Sequence, residues 1–290
     1  MNKSLAVLMT TYNRKEITLK CLSILFEQEL PESVDLFVYL VDDASQDGTR
    51  ESVVKCFPDV NIICGNGSLY WNGGMRLAFE TALNKEHDFF LWLNDDTHLY
   101  QGAIKRLFIE VEKNEARGYA DSIIVGATQD PHDGTLTYGG LNRYSWWYPL
   151  KINCVPPGNS SKPVDTINGN FALIPYKVAK EVGNLNPQFI HHLGDLDYGF
   201  RATQKGFTIW LMPGYVGTCS AHMPEWREKG LSFQERFSRI NDPKGLMFSE
   251  WKIFSKKHAG SFWVVYWLVP YIKIYLDSIF DVFSDLKLRS

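Results

Sequence analysis

The chain has 290 residues, of which 45% are hydrophobic, 14% aromatic and 22% charged. That length and composition exclude a disordered tail or a mini-protein and allow burial of roughly three quarters of the unfolded surface. Thirty Lys and Arg against 33 Asp and Glu leave a net charge of −3, so no nucleic-acid partner is expected.

The first half of the chain alternates strand-like and helix-like segments: 5–9, 15–28, 36–41, 49–57, 60–64, 74–84, 88–93, 102–114 and 122–126. This βαβ rhythm predicts an α/β fold whose sheet is mostly parallel and covered by helices on both faces. Residues 131–163 are rich in Gly, Pro, Asn and aromatics, which suits hairpins or a substrate loop. Beyond them come a strand near 171–174, helices near 176–182 and 197–205, and two strands at 208–211 and 216–219. The five cysteines, Cys21, Cys56, Cys64, Cys154 and Cys219, show no C-x-x-C pair and no zinc spacing, and read as free thiols of a reducing cytoplasm. The short apolar run at the N-terminus does not make a signal h-region, so no export is expected and the N-x-S/T triplets at Asn66 and Asn159 need no glycan.

The last 68 residues differ in kind. Residues 1–222 carry 19 basic and 25 acidic side chains, whereas 223–290 carry 11 and 8, a local net charge of +3. The aromatic-rich run 262–272 is shorter than the ~20 residues of a spanning helix. Past Lys273, Ile274, Tyr275, Ile279, Phe280 and Phe283 recur at helical spacing between Asp277, Asp281 and Asp285, as in an amphipathic helix. The tail is therefore expected to be helical and to lie on the cytoplasmic leaflet of the membrane, or else to pack on the protein's own core or against a second subunit in a homodimer.

In an open α/β sheet, ligands sit beyond the carboxyl ends of the strands. Polar clusters follow each of the first four: Thr10-Thr11-Tyr12-Asn13-Arg14, Asp42-Asp43-Ala44-Ser45, Gly65-Asn66-Gly67 and Asn94-Asp95-Asp96-Thr97. Paired carboxylates leaving a buried strand suit a hard divalent cation that also takes diphosphate oxygens, although an Asp pair also serves as a helix cap. Asp42 and Asp43 offer acceptors for a nucleobase N–H or ribose hydroxyls. Neither a G-x-G-x-x-G nor a G-x-x-x-x-G-K-[ST] motif is present, which speaks against dinucleotide-dehydrogenase and P-loop chemistry.

The ordered set TTYNR, VDDASQDGT, a Gly-rich start to the third helix and LNDDT resembles the inverting family 2 glycosyltransferases, which have the GT-A nucleotide-diphosphosugar transferase fold. The resemblance covers about 5–222. It implies a GT-A catalytic domain at 1–222, with a nucleotide-binding half at about 1–126 and an acceptor-side half at about 127–222, followed by a helical extension at 223–290. It makes Asp195, in Gly194-Asp195-Leu196-Asp197, the general base, with Gly194 standing where the family usually has Glu and His191 or His192 offering the support that Glu would give. It makes Asp96 the principal ligand of Mn²⁺ or Mg²⁺, places Asp95 at the metal or ribose, and lets His222 complete the metal site. Thr10, Thr11, Tyr12, Arg14, Asp42 and Asp43 would line the nucleotide pocket, as would Gly73 and Gly74, where Arg76 follows in the place of a common Asn. Trp226 joins the two histidines as an acceptor-side candidate; for Trp71, Trp146, Trp147 and Trp226, core packing is the default and sugar stacking the alternative.

The resemblance further implies transfer of a hexose from UDP-glucose, UDP-galactose or dTDP-rhamnose to a glycan on a polyprenyl diphosphate, by a peripheral enzyme of the inner membrane face that builds surface polysaccharide. Two other functions compete. A sugar-phosphate nucleotidyltransferase shares such a rim but has a Gly-rich N-terminal loop, which TTYNR is not. A silent scaffold or glycan-binding protein would be marked by lost carboxylates, and Asp95, Asp96 and Asp195 are all present.

Overall fold

The computed structural model describes residues 2–221, 224–228 and 230–288, with side chains of the last helix described through Leu276. The chain forms two compact units: residues 1–142, 153–190 and 194–221 make the first, and residues 143–152, 191–193 and 222–290 the second.

The first unit opens with β1 (Lys3–Thr11), α1 (Lys15–Phe26), β2 (Val34–Asp42), α2 (Thr49–Cys56), β3 (Asn61–Cys64), α3 (Tyr70–Leu83) and β4 (Phe89–Leu93). It continues through β5 (His98–Leu99), α4 (Ala103–Ala116), β6 (Ile123–Gln129) and β7 (Leu136–Tyr138) to the hairpin of β8 (Gly140–Ser145) and β9 (Tyr148–Cys154), whose tip belongs to the second unit. Next come β10 (Lys162–Val164), β11 (Thr166–Ile167), β12 (Phe171–Pro175), α5 (Tyr176–Val182), α6 (Gly194–Gln204) and β13 (Ile209–Thr218). The second unit adds α7 (Phe233–Ile240), α8 (Phe248–His258) and α9 (Trp263–Leu288).

The main sheet runs β10-β13-β6-β12-β4-β1-β2-β3, with β5 and β7 as short additions, and β11-β8-β9 form a second sheet. The β4-β1-β2-β3 half is parallel throughout. On the other side β12 runs antiparallel to both β4 and β6, while β13 is parallel to β6. The sheet is thus an α/β sheet of the expected kind with a mixed half. Alternate residues of β1 feed the two faces, as a period of two requires. Leu5, Val7 and Met9 pack with Leu22 and Leu25 of α1 and Ile104 and Leu107 of α4. Ala6 and Leu8 pack with Met75 and Phe79 of α3 and Tyr198 of α6. Burial on both faces accounts for the nearly unbroken apolar reading of β1 and β4.

Three local expectations are corrected. The helix expected at 74–84 begins at Tyr70, so Trp71 and Asn72 lie in its first turn. The strands expected at 208–211 and 216–219 are one strand, β13, which passes Pro213 and Gly214 through register irregularities between Leu211, Tyr215 and Gly217; bulges accommodate both residue types inside a strand. The apolar run at 262–272 and the amphipathic segment after it belong to one helix with Pro270 inside. The side chains of Asp277, Ile279, Phe280, Asp281, Phe283 and Asp285 lie outside the described residues.

Candidate active site

Because β3, β2, β1 and β4 are adjacent and parallel, their carboxyl ends reach one rim and bring the four polar clusters together. Three residues on that rim, Asn13, Ala44 and Tyr70, have φ of 51°, 60° and 52°, a conformation that costs free energy outside glycine and recurs at ligand sites. Asn13 ties the first two turns: its N–H donates to Ser45 Oγ at 2.9 Å and its Oδ1 accepts the Gln46 N–H at 2.7 Å. The two aspartates after β2 differ in use. Asp43 accepts the main-chain N–H groups of Gly67, Leu69 and Tyr70 at 2.7, 2.8 and 3.2 Å, and so holds the loop that enters α3. Asp42 accepts the Ser45 N–H through Oδ1 at 3.1 Å. Gly74 lets α3 approach the end of β1, since a Cβ there would collide with Thr10 Oγ1. Thr11 Oγ1 lies 2.8 Å from Thr18 Oγ1, and Tyr12 is exposed. Arg76 reaches Glu80 at 3.9 Å on the partly exposed side of α3, as a solvated helix residue does.

Asp95 and Asp96 share one cation. Arg14 Nη1 lies 3.0 Å from Asp95 Oδ1 and 3.0 Å from Asp96 Oδ2. Thr18 Oγ1 donates to Asp95 Oδ2 at 3.4 Å, and the Cys219 thiol donates to Asp96 Oδ1 at 3.4 Å. Burial is the largest influence on Asp95 and pushes its carboxyl up to about 6, against the pull of Arg14 and with the help of Asp96. Burial alone would lower Arg14, but the two aspartates outweigh it and raise it. Burial, then Asp96, drives the Cys219 thiol well above its ordinary range. Cys21 is raised in the same way, by burial before Asp95 and Asp96. Both thiols are therefore neutral donors here. The carboxylates are oxygen donors of the kind Mn²⁺ and Mg²⁺ take, already arranged about a positive charge, and they fit such an ion once the guanidinium is displaced. Among the described residues no group of three or more His, Cys, Asp or Glu converges on one point. His222 lies outside the described residues.

Beside this rim stand α6 and the residues before β12. Gly169 N–H donates to Asp195 Oδ2 at 3.0 Å, and Leu196 N–H to Asp195 Oδ1 at 2.8 Å. The edge of the Trp71 indole lies against Gly169, and Trp71 Nε1 donates to Asn94 Oδ1 at 2.7 Å. A second tie runs beside it: Asn94 N–H points to Asn170 O at 3.4 Å, and Asn170 Nδ2 donates to Cys219 Sγ at 3.4 Å. Asp197, two residues on, is fully buried and pairs with Arg201 at 2.8 Å, which also donates to Val182 O and Asn184 O. Gly194 abuts Asn72, whose Oδ1 would collide with any Cβ there and has no hydrogen-bond partner among the described residues, while its Nδ2 donates to Asn186 O and Phe189 O. A glutamate at 194 has no room beside this asparagine.

His191, His192 and Trp226 belong to the second unit. The two imidazole centroids are 4.6 Å apart, His192 Nε2 contacts Lys244 O at 2.7 Å, and the Arg227 guanidinium stacks 4.7 Å from the Trp226 ring. Trp146 and Trp147 are 91% and 58% exposed, so core packing is wrong for both. Sequence reading missed Thr18, Asn72 and Asn170, and read Trp71 as core packing or a sugar-stacking face and not as the link between Asn94 and Gly169. An earlier start to α3 would have flagged Trp71 and Asn72; Thr18 lies one turn into α1, where nothing in its spacing marks it.

The profile of glycosyl transferase family 2 matches residues 6–161, more than half of the chain. No curated protein matches the chain. Among solved structures, TarS 1-349 of S. aureus in complex with UDP-GlcNAc matches with a TM-score of 0.55 at 13% identity, over 88% of this chain and 71% of that one. The same protein in complex with UDP gives 0.54 at 14% identity over 88% and 70%. The mannosyltransferase PcManGT from Pyrobaculum calidifontis, in complex with GDP-Man and Mn²⁺, gives 0.50 at 16% identity over 87% of this chain and 64% of that one. At these identities the likeness establishes the fold.

Proposed function

The chain belongs to glycosyl transferase family 2, and from that premise we propose that it is a metal-dependent inverting hexosyltransferase with Asp195 as general base. The observation that supports this most is the run Asn94, Trp71, Gly169, Asp195. One indole touches both the turn bearing Asp95 and Asp96 and the glycine whose N–H holds Asp195. A carboxylate suited to accepting a proton and a carboxylate pair suited to a cation thus share one wall.

Asp42, with Thr10, Thr11 and Tyr12, lines the nucleoside end of the donor site, Asp43 keeps the entrance to α3 shaped around it, and Gly74, next to Gly73, lets the helix come close. Asp96, Asp95 and His222 would hold Mn²⁺ or Mg²⁺, which would supply positive charge against the leaving diphosphate. Arg14, released from that pair, would be free to meet a phosphate oxygen. Asp195 takes the proton from an acceptor hydroxyl while that oxygen bonds to the anomeric carbon from the face opposite the nucleotide. The bond from that carbon to the diphosphate oxygen breaks in the same displacement, so configuration inverts and no covalent enzyme intermediate forms. The donor is UDP-glucose, UDP-galactose or dTDP-rhamnose, and the acceptor a polyprenyl-diphosphate-linked glycan presented at the cytoplasmic face of the membrane, as the family resemblance implies.

The test is Asp195→Asn, with nucleotide binding read by thermal shift with UDP and dTDP in Mn²⁺ and transfer read by release of nucleoside diphosphate. Binding is retained and transfer falls at least ~10²-fold, the usual scale for a lost general base. Transfer within a few-fold of the parent removes Asp195 from that role.

A further inference from the structure

In the second unit, α9 is fastened to α8 by one face. Trp267 Nε1 donates to Phe248 O at 3.2 Å, Trp251 Nε1 to Tyr266 O at 3.3 Å and Tyr271 OH to Leu246 O at 2.9 Å. The Phe248 ring centroid stands 4.5 Å from Trp267 and 4.9 Å from Tyr271, and Ile274 is buried. The face pointing away is apolar and bare. Val265, Ile272 and Leu276 follow one another at helical spacing with 58%, 52% and 46% of their surface exposed, and Phe262 heads the stripe. Lys273 is the sole charged side chain from Trp263 to Leu276.

The hairpin tip at 143–152 joins this surface. Tyr148 stacks on Tyr266 with centroids 5.5 Å apart, and Tyr266 OH donates to Trp147 O. The tip holds Trp146 and Trp147 out in solvent. Charge along the stretch that carries α8 and α9 is uneven. Between Lys244 and Leu276 there are five lysines, at 244, 252, 256, 257 and 273, and one carboxylate, Glu250, which is buried. Lys151, on the hairpin, lies over the Tyr144 ring at 3.9 Å.

We propose that this face docks on an anionic lipid bilayer, with the Trp146–Trp147 tip and the Val265–Leu276 stripe entering the headgroup boundary and the lysines meeting anionic headgroups. Three properties select that occupant. Tryptophan at an exposed tip, with an apolar body and one N–H, suits headgroup depth. The apolar stretch rises only about 21 Å as a helix, less than the ~30 Å hydrocarbon core, and among the described residues no helix is long and apolar enough to cross a membrane, so α9 lies along the surface. A second copy of the chain would set the same lysines against themselves across a two-fold axis, whereas anionic headgroups complement them. The proposal extends the glycosyltransferase reading without depending on it.

The experiment is flotation of the full chain with vesicles of phosphatidylcholine containing phosphatidylglycerol, and with phosphatidylcholine alone, beside gel filtration and a thermal shift with UDP and dTDP in Mn²⁺. The chain floats with the anionic vesicles, and raising NaCl toward about 0.5 M, where screening is strong, releases much of it. The double variant Trp146→Ser, Trp147→Ser and, separately, Ile272→Glu each lower the bound fraction roughly tenfold or more, the scale of losing one or two buried apolar side chains, with the nucleotide shift unchanged. The proposal is overturned if the parent chain does not float with anionic vesicles, or if both variants float as it does. It is equally overturned if gel filtration shows a dimer that Ile272→Glu dissociates, which would give the face to a second copy. Because the nucleotide shift is read on the same preparations, failure here is distinguishable from failure of the donor site.

Discussion

On the parallel half of the main sheet, β4-β1-β2-β3, Asp43, Asp95 and Asp96 stand just past strand ends and are held by groups that follow another strand, while Asp42 is held within its own turn. Asp43 is held by the loop after β3, and Asp95 and Asp96 by the Arg14 that follows β1. On the mixed half, Asp195 stands in the first turn of a helix, held by its neighbour's N–H and by Gly169 from the segment before β12. Strand order alone assembles the first group. The second depends on β12 running antiparallel between β4 and β6, which delivers Gly169 and Asn170 beside Asn94. If the halves divide the work as proposed, damage to the first should abolish donor binding, and damage to the second should spare binding and abolish turnover.

Asp96→Ala breaks that division most directly. It stands at the rim, with Arg14 and the Cys219 thiol among its partners, so the fold should survive while Mn²⁺-dependent binding of UDP or dTDP and all measurable transfer disappear. Thermal shift with and without Mn²⁺, run beside the transfer assay, checks both. Transfer at the parent rate would take the metal role away from Asp96.

The smaller effect sharpens the comparison within a single helix. Asp197 differs from Asp195 in being fully buried and paired with Arg201, so Asp197→Asn should cost stability, about 3 kcal/mol for a buried pair stripped of one charge, measured by urea unfolding. The fraction that remains folded should still transfer sugar, whereas Asp195→Asn should leave the unfolding midpoint near the parent value. Full stability with no transfer in Asp197→Asn would exchange the roles of the two aspartates.

Much of this was legible in the sequence because the parallel half repeats a simple rule. Each buried strand is a continuous apolar run, and each ends in polar residues, so the rim is legible in TTYNR, DDAS, GNG and NDDT. The mixed half follows no such rule. Pro213 and Gly214 look like the end of a strand, yet β13 continues through them by bulging. Asp195 is indicated by resemblance to the family and not by any periodicity, and the reason for Gly at 194 lies in Asn72, whose Oδ1 stands where a Cβ would go. Contacts of that kind join residues far apart in the chain, and neither residue's neighbours in sequence announce the other. The same holds for Trp71, whose indole links Asn94 to Gly169 only because α3 begins at Tyr70.

The central claim is a single displacement in which Asp195 deprotonates the acceptor while the nucleotide departs from the opposite face. The anomeric configuration of the product tests it most directly, read by proton NMR of the glycoside formed from whichever of UDP-glucose, UDP-galactose or dTDP-rhamnose supports transfer. The account predicts the configuration opposite to that of the donor from the first turnovers onward; a product that retains the donor's configuration would contradict it.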